Sequence, residues 1–211
     1  ASTIHKDAWS GPLEGCNELL NTTCRPVIEK LHRGYLKAGA DIIKTNTFGA
    51  LPWVLDDYDI AERTYELAKN GAMIAKGLCD EFATESKPRF CAGALGPGTK
   101  LPSLGHISYD DMYAGYKIAA SGLIDGGVDL FLIETAQDPL QIKAALHAIQ
   151  DMQEEKNTKL PIMVSVTIEL SGTMLIGTDV TTIATILEPF DIMSLGFNCG
   201  TGPEQIDKHV K

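Results

Sequence analysis

The chain has 211 residues, 44% hydrophobic and 22% charged, with 28 acidic against 18 basic side chains and a net charge of −10. That length is enough to bury a sizeable core, and the sign of the charge repels phosphate backbones and anionic lipid surfaces, which argues against nucleic acid and membrane as partners. No apolar run approaches the roughly 20 residues that span a bilayer, and the opening ASTIHKDAWSGP lacks the basic flank and apolar centre of a signal peptide.

The elements alternate along the chain. RPVIEKLHRGYLKAGA predicts a helix with Pro26 in its first turn, Val27, Leu31, Tyr35 and Ala38 on one face, and Gly39 as its stop. DIIKTNTF (41–48) predicts a strand, followed by a helix from about 60 to 78 with Thr64, Leu67, Gly71 and Ile74 on one face. RFCAGALG (89–96) is the second strand, and the helix over 109–124 ends in the pair Gly126–Gly127. DLFLIET (129–135) precedes DPLQIKAALHAIQDMQ, a helix with Asp138 as N-cap and Pro139 in its first turn. PIMVSVTI (161–168), the short helix TTIATILEPF and DIMSLGFNC (191–199) complete the series. The strands are near-continuous apolar runs, as parallel strands covered on both faces are. Five repeats of βα length without a long polar linker point to one α/β domain with a parallel sheet.

An open doubly wound sheet and a (β/α)8 barrel both fit that alternation. A doubly wound nucleotide binder carries a glycine-rich fingerprint after its first strand, whereas GALPWVLDDYD follows DIIKTNTF here. GALGPG (93–98) is glycine-rich, but no helix starts directly behind it, and a tight turn accounts for it. The barrel is favoured because polar residues sit at the strand C-termini, where barrel enzymes place their sites. These are Thr45, Asn46 and Thr47, then Gly96 and Pro97, Glu134 and Thr135, Ser165 and Thr167, and Asn198 and Cys199.

Glu134 follows LFLI, so a carboxylate stands at the end of a buried strand and needs a partner. Backbone amides, a bound ammonium group and a proton-transfer role are the alternatives. Cys199 lies just before the helix signal Gly202–Pro203, where a helix N-terminus favours a thiolate, either as nucleophile or as metal ligand. Of the histidines, His32 and His147 fall inside helices, and His106 lies in the loop after GALGPG, within possible reach of the barrel mouth. The five cysteines are scattered without a CxxC pair, so no disulfide framework is expected and a reducing cytoplasm is the expected compartment.

Five phrases in order, GADIIKTNTFGA, GALGPGTKLPSLG, GVDLFLIETAQDPLQIKAAL, VSVTIELSGTMLIGTD and LGFNCGTGPEQI, resemble the homocysteine S-methyltransferase family from about Cys16 onward. TNTF and NCGTGPE lean towards its cobalamin-dependent branch, with betaine-, S-methylmethionine- or other corrinoid-dependent members as the alternative. The resemblance implies a methyltransferase that moves a methyl group from methylcobalamin, and ultimately from methyltetrahydrofolate, to the thiol of homocysteine. It implies Cys199 as one of three cysteine ligands of a catalytic Zn2+, Glu134 as the holder of the homocysteine amino group, and Asn46, Asn198 and Thr167 as further substrate-binding positions. It also implies folate- and cobalamin-binding domains elsewhere in a longer parent chain.

Two family phrases are missing. Nothing like DGGMGT precedes RPVIEK, and the adjacent cysteine pair that would supply the other two zinc ligands is not found. The expectation is therefore an incomplete (β/α)8 TIM barrel over 1–211, lacking the first strand and the last two, inactive alone and weak in zinc binding. A truncated, non-catalytic remnant is the competing reading.

Overall fold

The computed structural model describes residues 13–210. A short lead-in, α1 (Leu20–Thr23), precedes α2 (Arg25–Lys37) and β1 (Ile42–Lys44). Then follow α3 (Pro52–Leu55), α4 (Thr64–Phe82), β2 (Phe90–Leu95), α5 (Tyr109–Asp125) and β3 (Leu130–Ala136). The described part ends with α6 (Pro139–Glu155), β4 (Ile162–Val166), α7 (Val180–Leu187), β5 (Ser194–Phe197) and α8 (Pro203–Val210). All five expected strands form; four are shorter than their apolar runs, and β3 keeps the length of its run but is displaced by one residue, to Leu130–Ala136.

The strands make one parallel sheet in the order β1-β2-β3-β4-β5. That order never reverses, so the sheet lacks the switch point of a doubly wound fold. The helices are sequential as well: α2 packs on α4, α4 on α5, and α5 on α6. Each crossover thus returns on the same side, which is how a (β/α)8 barrel winds. Among the described residues the sheet is not closed, and β1 and β5 are its edges.

The helix layer covers Ile43, Cys91, Phe131, Ile133 and Val164, all essentially inaccessible. Gly93 belongs to this packing, since a Cβ there would lie 3.1 Å from a Leu123 methyl. Ser108 and Asp138 cap α5 and α6, accepting from Asp111 N and Leu140 N. On the opposite face Ile42, Lys44 and Phe90 near β1 are exposed, whereas Ala92, Ala94 and Leu130 are buried.

Two expectations need correction. The stripe Val27, Leu31 and Tyr35 of α2 is exposed, at 45%, 55% and 61%, and Ile28, His32 and Leu36 are buried instead. The two stripes lie about 100° apart on the helix, and contact with β1 and α4 selects the second although the first is more apolar. The helix expected from about 60 begins at Thr64, after a tight turn over Ala61–Arg63, and continues to Phe82. Its buried face is the expected one: Thr64, Leu67, Gly71 and Ile74.

Candidate functional site

The C-terminal end of β3 leaves the regular ladder. Register with β4 shifts between Ile133 and Ala136, and Thr135 adopts φ 59°. A left-handed backbone at a β-branched residue is costly and persists only when its surroundings hold it. They do so through Asn198. Its Oδ1 accepts from Thr135 N (3.1 Å) and Ser165 Oγ (2.7 Å), while its Nδ2 donates to Thr135 Oγ1 (2.7 Å) and to Cys199 Sγ (3.4 Å). One amide therefore ties the ends of β3, β4 and β5 together and fixes the residue beside the thiol.

Cys199 is exposed at the end of β5 and itself adopts φ 56°. Gly200, at φ +62°, follows it so closely against Ile168 O (2.5 Å from a hypothetical Cβ) that no larger residue fits. α8 starts three residues later at Pro203. The sharp turn presents the thiol at the strand end rather than in the core. The other cysteines differ. Cys91 is fully buried and its thiol is pushed well up by burial, and Cys79, inside α4, is pushed up to about 11 by burial and by Asp129. Neither is an available thiolate.

Asn46, Glu134, Asn198 and Cys199 line one cavity of about 620 Å³, together with Lys44, Thr135 and the buried His32. Asn46 spends both amide hydrogens on Asn17 O (2.8 Å) and Asn21 Oδ1 (3.0 Å), so its carbonyl oxygen is what it offers the cavity. Glu134 is almost buried, and its Oε2 is bonded to Lys44 Nζ at 2.6 Å. The open question of its partner is thereby answered with a side chain that sequence reasoning missed. The available signal was a lysine inside the apolar run DIIKTNTF.

Thr167 does not line this cavity. It is buried, and its Oγ1 donates to Asn198 O at 3.2 Å, a support beneath the site. Thr45 also lines this cavity, its Oγ1 accepting from Ala94 N, whereas Thr47 is fully buried and donates to Ala94 O. His106 is exposed, accepts from Leu101 N, and does not join Cys199. His147 bonds Tyr109 and packs by Phe190. His32 is buried and held neutral by burial, with its Nε2 lacking a partner among the described residues. No cluster of three metal-binding side chains occurs among the described residues, so one sulfur is the whole soft donor set seen at the rim.

A (β/α)8 segment with a thiol, a carboxylate and two amides at its strand ends agrees with comparison to known proteins. The chain belongs to the homocysteine S-methyltransferase family, whose family model matches residues 1–211. It is 43% identical to the methionine synthases of Mycobacterium tuberculosis (over 211 residues, 100% of this chain) and Mycobacterium leprae (over 199 residues, 94% of this chain). It spans only 18% and 16% of their respective lengths. The Escherichia coli homocysteine methyltransferase MmuM in its metallated form superposes with a TM-score of 0.72 at 20% identity, over 88% of this chain and 67% of that one. Its apo form gives 0.65 at 20% identity, over 90% and 68%. At such identity the structural likeness establishes the fold, part of a TIM barrel. No described helix is long and apolar enough to cross a membrane.

Proposed function

We propose that residues 1–211 are the homocysteine-binding portion of a cobalamin-dependent methionine synthase. The observation that carries this reading is the meeting of Glu134, Asn46, Asn198 and Cys199 around one cavity at the strand C-termini, in a chain 43% identical to methionine synthases along its whole length.

In this reading Glu134 receives the homocysteine ammonium, which suits a nearly buried carboxylate, and the Asn46 carbonyl oxygen accepts a further substrate hydrogen bond. Asn198 and Thr167 act by holding the rim. Methylcobalamin, which would be held by another domain of the longer protein, would supply the methyl group that the deprotonated substrate sulfur accepts, and methyltetrahydrofolate would be the ultimate donor; the residues described here would bind and orient the homocysteine.

Cys199 is proposed as one ligand of a Zn2+ whose other two cysteine ligands lie outside these residues. The described residues alone do not complete a zinc site. Bound there, zinc supplies ionisation of the incoming thiol near neutral pH. By itself the chain is expected to bind zinc weakly and to transfer no methyl group. Five free cysteines, one of them exposed, fit a reducing cytoplasm. Related betaine-, S-methylmethionine- or corrinoid-dependent chemistry differs in the donor, not in this cavity.

The test is methyl transfer by the full-length protein. Homocysteine should consume methylcobalamin, and Cys199→Ser should lower turnover at least about 100-fold by removing a metal ligand. Full turnover with Cys199→Ser would overturn the assignment of the thiol. Absence of transfer from methylcobalamin with turnover from another methyl donor would move the protein to a sister branch.

A further inference from the structure

We infer that His32 is a latch: its Nε2 bonds the backbone of a further strand, supplied by the longer parent chain, that lies parallel to β1 on its free side, and so fixes that strand's register. The free side follows from the sheet order. The histidine beside it is what selects one position for the incoming chain.

The ladder defines the edge. Phe90 N donates to Asp41 O at 2.8 Å and Thr45 N to Ala92 O at 2.9 Å, so Asp41 and Thr45 turn these backbone groups towards β2. Alternate residues of a parallel strand serve opposite neighbours. Ile42 and Lys44 therefore aim their N–H and C=O groups to the side of β1 on which no described strand lies.

His32 stands against this edge. It comes from the buried face of α2, is 4% exposed, and lines the same groove as Ile42, Lys44 and Phe48. Its Nε2 is buried and has no hydrogen-bond partner among the described residues. Buried polar atoms are rarely left so. Burial favours the neutral ring, whose Nε2 offers either a lone pair or an N–H, and a backbone peptide group satisfies either.

A strand meets every one of these demands. Its backbone completes the ladder of Ile42 and Lys44, its side chains cover Ile42 (44% exposed) and Phe48 (43%), and one of its peptide groups meets Nε2. A slip by one residue would turn all its side chains to the wrong face, so a single bond at His32 is enough to choose the register. A helix has spent its backbone groups internally and cannot complete the ladder. This chain spans 18% of a methionine synthase to which it is similar. A strand within the same molecule therefore competes at an effective concentration that a second copy does not reach.

The test is residue-resolved hydrogen exchange of the full-length protein as wild type, His32→Leu and His32→Gln. In the wild type the Ile42 and Lys44 amides should be protected as that of Ile43 is, which pairs with β2. His32→Leu keeps the packing and removes the bond. Exchange at Ile42 and Lys44 should then quicken about 10-fold, the worth of one buried hydrogen bond, with Ile43 unchanged. His32→Gln restores a donor and an acceptor and should keep most of the protection. Free exchange of Ile42 and Lys44 in the wild type overturns the strand and the latch together. Protection undiminished in His32→Leu overturns the latch, and so does an equal loss at Ile43, which marks a general loosening of α2. Protection that rises with protein concentration gives the edge to a second copy and overturns the assignment to the parent chain. Homocysteine enters none of these measurements, so they leave the functional reading untouched.

Discussion

Phe131 and Ile133 of β3 are fully buried, whereas no residue of β5, which pairs with the same neighbour β4, is. The contrast extends outward. The block of α4, α5 and α6 over β2, β3 and β4 holds most of the inaccessible side chains, while at the margins Ile42 is 44% and Met193 59% exposed. The site does not lie in the well-packed block alone. Lys44 and Asn46 come from the β1 margin, Asn198 and Cys199 from the β5 margin, and Glu134 with Thr135 from the centre between them. Among the described residues burial is densest in the middle of the sheet, and the site draws both on that block and on the two strands that end the described sheet.

The largest expected effect tests that division directly. Phe131→Ala should cost about 3–5 kcal/mol in urea denaturation of the chain, the range for emptying a buried aromatic site. Phe197→Ala, on β5 and only partly buried, should cost less than half as much. Equal losses would mean that β5 is as well packed as β3 and would break the comparison.

Next comes the amide that bridges the two regions. Asn198→Ala removes four hydrogen bonds, two of which hold Thr135 in its left-handed conformation. A loss of about 2 kcal/mol is expected from the unsatisfied partners, with faster hydrogen exchange at the Thr135 amide. Thr135→Gly in the same background should recover part of it by removing the backbone strain. An unchanged exchange rate in Asn198→Ala would show that Thr135 is held by something else.

What was legible in the sequence follows the same geography. The five strands announced themselves as apolar runs because both local propensity and burial act on consecutive residues. The rim position of Cys199 was legible too, since LGFNCGTGPEQ marks strand, turn and helix in twelve residues or fewer. The α2 stripe was misread because two helical faces compete there, and only contact with β1 and α4 decides between Leu31 and His32. The Lys44–Glu134 pair joins residues 90 positions apart, and the Asn198–Thr135 bracket joins residues 63 apart. No periodicity encodes such meetings; they depend on sheet order and on the register shift at the end of β3.

His32 provides a third, smaller effect, at the junction of α2 with the cavity. Burial lowers its pKa below 6.5 in the folded chain. Above 6.5 both states are neutral and the residue contributes no pH dependence. As pH falls below 6.5 the unfolded chain takes up the proton first, so stability declines until the lowered folded value is reached. The slope cannot exceed about 1.4 kcal/mol per pH unit. Urea midpoints at several pH values from 7.5 to 5 should show this decline in the wild type, and His32→Leu should remove that share of it. Parallel curves for the two proteins would show that His32 is not buried as described.

The smallest effect concerns the exposed stripe beside His32 on the same helix. Leu31 is 55% exposed, one residue from a side chain that is 4% exposed. Leu31→Ser exchanges an apolar surface side chain for a polar one and leaves the described packing untouched, so stability of the chain should change by no more than about 0.5 kcal/mol. Leu36→Ser, five residues on along the buried face of α2, should cost several times that amount, since it buries a hydroxyl where a leucine is 1% exposed. The ratio of these two losses locates the buried face of α2. If Leu31→Ser proves the more damaging, the stripe Val27, Leu31 and Tyr35 is covered by a neighbour, and the β1 margin is as closed as the centre of the sheet.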